Sequence, residues 1–155
     1  MTSKESMDFY LQVKNEINPF KEKLREKANF LLKEEKMWLI EAAISWDKDR
    51  DMRIAEARRA IIPGVGMSCK VCYYTDCHAA TITEIISPRK VRVRDNKTKC
   101  LDYYAGEYEI LPELDGREYI FTKRSNGKWI LEGQKSKDGL SLQLHYQHHF
   151  IDPSF

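Results

Sequence analysis

Residues 66–93, GMSCKVCYYTDCHAATITEIISPRKVRV, hold the strongest folding instruction in the chain. An apolar, β-branched and aromatic run leads into a polar turn at Thr75-Asp76. A second run from Ala79 to Ile86 meets a Ser87-Pro88 turn, after which Val91 and Val93 alternate with charge. Runs of this length between turn residues predict three short antiparallel strands, a meander. Three of the four cysteines lie in the stretch, with His78 beside the third. The stretch sets the kind of domain and names no activity.

Beyond the meander, Asp95-Asn96-Lys97-Thr98-Lys99 reads as a polar loop, and Tyr103 to Leu111 as a strand stopped by Pro112. A turn is expected at Leu114-Asp115-Gly116-Arg117. Glu118 to Lys123 and Trp129 to Glu132 flank Ser125-Asn126-Gly127-Lys128, and Asn-Gly is a strong hairpin signal. Lys137-Asp138-Gly139 turns into a last alternating strand, with Leu140, Leu142 and Leu144 on one side. Six or seven short strands without an intervening helix predict a small antiparallel SH3-like β-barrel or a strongly bent sheet, in which closure removes exposed edges. Its expected core is Val71, Tyr73, Ile82, Ile85, Val91, Val93, Ile120, Trp129, Leu142 and Leu144, with a one-residue slip exchanging the two faces.

Residues 3–61 read as two or three helices, so the fold class is α+β: a helical hairpin or arm over 1–62 and the barrel domain over 63–155. Ser3 or Ser6 caps a first helix carrying Phe9, Tyr10, Val13 and Ile17. Asn18-Pro19 starts a second, because proline at the first helical position forgoes an N–H that would be unpaired anyway. Apolar residues from Phe20 to Trp46 recur without glycine or proline, so a long, bent helix over 20–46 follows. The charged run WDKDRD then breaks it, Asp49 or Asp51 caps a third helix, and Pro63-Gly64 ends that one. A heptad pattern does not hold beyond about two repeats, which favours packing within the chain over a projecting coiled coil.

At 155 residues, 42% apolar and 32% charged, the composition is that of a globular protein. Residues 1–62 and 63–155 each carry 13 basic and 12 acidic residues, so no overall basic field advertises nucleic acid. The opening MTSKESMD lacks the pattern of a signal peptide, and no apolar run is long enough to span a bilayer. The expectation is a cytoplasmic protein with no membrane partner and with reduced thiols.

Cys69-x-x-Cys72 followed by Cys77-His78 offers the ligand types of a zinc site. Strand periodicity sends positions 69 and 72 to opposite faces, so two small buried residues are the better reading, with no metal and no cofactor. Asp76 and His78 flank a turn, where the aspartate accepts backbone N–H groups and the histidine donates to it. As a catalytic pair they would be a general base and its orienter, but no nucleophile completes a mechanism, and no catalytic residue is assigned. His145, His148 and His149 read as surface residues. The one departure from background is 89–99, RKVRVRDNKTK, with six basic residues and one acid. With Val91 and Val93 inward, Lys90, Arg92 and Arg94 share the outward face, Arg89, Lys97 and Lys99 extend it, and Tyr103 and Tyr104 follow for stacking. That is a candidate surface for a nucleic-acid backbone or an acidic protein.

Cys72-Tyr73, Asp76, His78-Ala79, Thr81-Ile82 and the terminal Asp152-Pro153-Ser154-Phe155 resemble a family of small proteins of phages and bacterial mobile elements. Its members carry C-Y-x-[ST]-D-x-H-A-x-T-[IV] and end in Y-D-P-S-F. The resemblance covers about 63–155 and departs at Phe150-Ile151, where the family has tyrosines. It implies a phage-linked origin, a bacterial host cell and a β-rich fold, and no reaction. Two functions remain as expectations. The first is a non-enzymatic protein that binds and inhibits a host protein, such as a defence nuclease or another nucleic-acid-processing complex, in the manner of an anti-CRISPR. The second is a nucleic-acid-binding module working through 89–99. A homodimer through the helices is a further expected contact.

Overall fold

Asn18-Pro19 starts a helix as its chemistry predicts. The Asn18 side chain accepts from the Phe20 and Lys21 amides, and Pro19 fills the first helical position of α2 (Pro19–Lys27). The computed structural model describes residues 2–154; Phe155 of the terminal motif lies outside them, as does the side chain of Ser3. The chain divides into a helical unit, Thr2–Ala60, and a sheet unit beginning at Ile61.

In the helical unit, α1 (Ser3–Lys14) is capped by Thr2 rather than by Ser3 or Ser6. Thr2 Oγ1 accepts from the Glu5 amide, and the Glu5 carboxylate accepts from the Thr2 amide, a reciprocal capping box. The expected helix over 20–46 is broken: α2 ends in a 3-10 turn at Ala28–Phe30, and α3 runs unbroken over Lys33–Ala60. WDKDRD therefore lies inside α3, and Asp49 and Asp51 cap nothing. Two acids of that run, Asp47 and Asp49, are paired within the unit instead. Asp47 pairs with Lys21 of α2 at 2.6 Å, and Arg53 with Glu16 at 2.6 Å and with Asp49 one turn back at 3.2 Å. Asn18 closes the same seam by donating to the Ala43 carbonyl (3.0 Å) and to Asp47 Oδ1 (3.1 Å). α1 and α2 both pack on α3, with Tyr10, Val13, Leu39 and Ala43 buried.

The sheet unit has six antiparallel strands: β1 (Ser68–Cys72), β2 (Cys77–Ser87), β3 (Lys90–Asp102), β4 (Glu107–Lys123), β5 (Trp129–Leu131) and β6 (Ser141–Leu144). Each pairs with the next, and β6 returns to β1, with Val71 opposite Leu142 and Cys69 opposite Leu144, so the sheet closes into a barrel. The opening meander and the Asn126-Gly127 hairpin form as expected, with Gly127 at φ +84°.

Two expected irregular segments are strand. Residues 95–99 belong to β3. The expected strand over 103–111 and the turn at 114–117 fall differently: the turn is at 103–106, and 107–123 is one strand. Gly116 at φ +115° and register shifts beside Asn96 absorb the irregularity as bulges. Pro112 fits there because β5 pairs with β4 only at Phe121–Lys123, so β4 has a free edge along that stretch.

Of the expected core, Val71, Ile82, Val91, Val93, Trp129, Leu142 and Leu144 are buried, while Tyr73, Ile85 and Ile120 are half-buried. On β4 the face is slipped by one: Tyr119 and Phe121 point inward in place of Ile120. Cys69 is fully buried, and Cys72, on the other face of β1, is only half-buried.

Candidate functional site

β3 carries the basic run, and its neighbours decide what that run can do. Arg92 lies opposite Glu84 of β2, with Nε 3.5 Å from the carboxylate. Lys90 Nζ reaches Glu132 at 2.6 Å, Arg94 lies opposite Glu118 of β4, and Lys99 opposite Glu109. Arg89 donates to the Lys123 carbonyl at 3.0 Å. Over its length β3 holds five basic and two acidic residues, and β4 five acidic and two basic, so the paired strands carry no net charge. The sequential excess of β3 is thus balanced in formal charge by the acids of β4 beside it. Lys97 remains exposed on the ribbon, and Tyr103 and Tyr104 lie in the turn at its end, edge to face at 5.5 Å.

Residues 72–82 and 147–152 meet elsewhere on the sheet unit. His78 Nδ1 lies 3.2 Å from Asp95 Oδ2, and Tyr119 donates to the same oxygen at 3.2 Å. The Tyr119 hydroxyl is hydrogen-bonded to that of Tyr73. The His78 ring contacts Tyr73 (4.6 Å between centroids) and His149 (5.2 Å), and His149 meets Tyr108 edge-on at 4.7 Å. Burial first, then the Tyr73 hydrogen bond and the Asp95 charge, push the Tyr119 phenol far above its ordinary value, so it remains a donor to the carboxylate.

The expected partner of His78 is therefore replaced: Asp95 takes that place, and Asp76 instead accepts from the Asp152 amide at 2.8 Å. Cys77 and Phe150 exchange backbone hydrogen bonds in both directions, and Gln147 donates to the Ala80 carbonyl and to Asn96 Oδ1. His149 is likewise no surface residue, since it is half-buried in this cluster, whereas His148 is exposed. A carboxylate at Nδ1 is the arrangement that orients a catalytic imidazole. Here Asp95 is shared with a tyrosine, while Asp76, Cys77, Ala80 and Asn96 fasten residues 147–152 to the sheet. The arrangement is that of a clamp. Sequence reasoning missed Asp95, Tyr119 and His149 because strand pairing and a returning tail, which no local spacing encodes, bring them together.

Burial, and next the neighbouring His78, lower the pKa of His149 below the usual imidazole value, and Asp95 and Asp76 only partly offset this. The folded state then binds fewer protons than the unfolded one as pH falls through about 6.5. Stability should fall with acidification below that point. Thermal melts between pH 8 and 5 check this: His149→Gln should flatten the acid limb, and an unchanged limb would assign it to other groups.

A third surface lies on the helical unit. Trp38 is 61% exposed and meets Phe20 edge-on at 6.0 Å. With Leu31 and Leu39 it forms the apolar wall of a groove bordered by Lys23, Lys27 and Glu35. Met37, Ile40 and Ile44, at 54, 44 and 52% exposure, follow one another at spacings of three and four along α3 and so share a face. Elsewhere on these helices Phe9 is exposed, Trp46 is half-buried and Tyr10 is buried.

No helix among the described residues is long and apolar enough to cross a membrane. Comparison with protein-family models, with curated proteins and with solved structures yields no match to this chain.

Proposed function

We propose that this is a non-enzymatic interaction protein that engages another protein through its helical unit. The observation that carries the reading is the set of exposed apolar side chains on α3, Met37, Trp38, Ile40 and Ile44, preceded by Phe30 at 87% and Leu32 at 67% exposure. Large exposed apolar side chains in this number on one short segment of a small protein mark a contact site, and tryptophan in a groove is the usual energetic anchor. Lys23 and Lys27 border the groove, so the docking segment carries carboxylates beside its apolar residues. Following the resemblance over 63–155, the partner is a host protein that this binding inhibits, and a defence nuclease is the first class to test. The charge cancellation between β3 and β4 weighs for a protein partner over nucleic acid.

The experiment is capture from a nuclease-treated bacterial lysate, followed by binding of the purified captured protein. Trp38→Asp combined with Ile40→Asp should weaken that binding at least tenfold while the melting temperature stays within about 3 °C, since both side chains are exposed. Arg92→Glu combined with Arg94→Glu should leave it within about twofold. Loss of all capture on nuclease treatment would favour the nucleic-acid reading. Sedimentation showing a dimer that the Trp38 and Ile40 changes dissociate would make a second copy the occupant.

A further inference from the structure

We infer that Cys72 and Cys77 are an oxidisable pair, closing a cross-strand disulfide when a small-molecule disulfide such as oxidised glutathione is the oxidant. They face each other as the last register pair of the β1–β2 hairpin. The next pair, Tyr73 and Asp76, is hydrogen-bonded, with the Tyr73 amide donating to the Asp76 carbonyl at 2.9 Å. Both backbone groups of Cys77 point the other way, to Phe150. Cys72 and Cys77 therefore occupy a non-hydrogen-bonded site, where opposed Cα atoms stand about 4.5 Å apart and the side chains lean together. That spacing falls inside the window a disulfide spans. The other two cysteines have no such neighbour: Cys69 lies opposite Ala80 and Leu144 inside the barrel, and Cys100 opposite Tyr108.

The chemistry balances as two thiol–disulfide exchanges. The Cys72 thiol loses its proton to solvent, and its sulfur attacks one glutathione sulfur. The glutathione S–S bond breaks, and one glutathione thiolate leaves. The Cys77 thiol then loses its proton, attacks the Cys72 sulfur of the mixed disulfide and expels the second glutathione. The dithiol gives up two protons and two electrons, and oxidised glutathione takes them up to become two reduced molecules. Cys72 is the first nucleophile because burial pushes the Cys77 thiol up, and the returning strand at Phe150 lies against Cys77. The bond would lock the turn that carries Tyr73 and Asp76, and through Asp76 and Cys77 the hold on residues 150–152. This inference is independent of the helical docking surface.

The test is to treat the full chain with oxidised glutathione and map peptides without reduction. The expected product is a chain lighter by two hydrogens with Cys72 joined to Cys77, and a melting temperature raised by about 5 °C through the closed loop. In Cys77→Ser the reaction should stop at a glutathione adduct on Cys72. A stable adduct on wild-type Cys72, a bond involving Cys69 or Cys100, or no reaction would each overturn the pairing.

Discussion

Replacing Phe121 by alanine in the full chain is expected to lower the melting temperature of the sheet unit by about 12 °C or more, the largest effect of any single truncation in it. Phe121 is the largest fully buried side chain among the described residues. It sits on β4 between Val91 of β3 and Leu131 of β5, 5.7 Å from the Tyr119 ring. Phenylalanine truncation in a close-packed core costs about 3–5 kcal/mol, partly in lost transfer energy and partly in the cavity left behind. A small domain holds only about 5–15 kcal/mol in total, and each lost kcal/mol moves a domain of this size by about 4–8 °C. Phe121→Leu, which keeps most of the volume, should cost less than half as much. Equal melting temperatures for the two variants would show that β4 does not place this ring in the core.

Gly106→Ala is the second large effect, and it acts on the tail. Gly106 holds φ +69° in the turn between β3 and β4, and a Cβ there would lie 2.7 Å from the Phe150 ring. The left-handed backbone alone costs alanine about 1–2 kcal/mol, and the contact is closer than van der Waals distance, so the ring must move. Phe150 is also the residue whose backbone pairs with Cys77. The expected outcome is a loss of about 2–3 kcal/mol together with faster hydrogen exchange at the Cys77 and Phe150 amides, reporting a released tail. Destabilisation without faster exchange at those two amides would place the strain in the turn and remove the tail from the account.

The parts of this fold that were legible from sequence are those fixed by local chemistry. Asn18-Pro19, Asn126-Gly127, and the alternation of Val91 and Val93 with charge each determine a conformation within a few residues. Misread segments carry their reasons in tertiary contacts. Asp95 and Asn96 look like loop residues, yet Asp95 holds His78 and Tyr119, and Asn96 binds Thr81, Gln147 and the Leu111 carbonyl, which makes them strand residues. WDKDRD looks like a helix stop because its charges are unmatched in sequence. Two of its acids are matched in the fold, Asp47 by Lys21 of α2 and Asp49 by Arg53 one turn on in α3. The basic strand shows the same lesson for function. The local excess over 89–99 is legible in sequence, whereas its neighbours Glu84, Glu118 and Glu109 come from strand pairing.

Hydrogen–deuterium exchange on the complex with the purified captured partner measures the docking surface most directly. The account predicts protection on binding across 30–44, the end of the α2–α3 connection and the first turns of α3, with exchange over 89–104 unchanged. Protection confined to 89–104, with 30–44 exchanging as in the free protein, would contradict it.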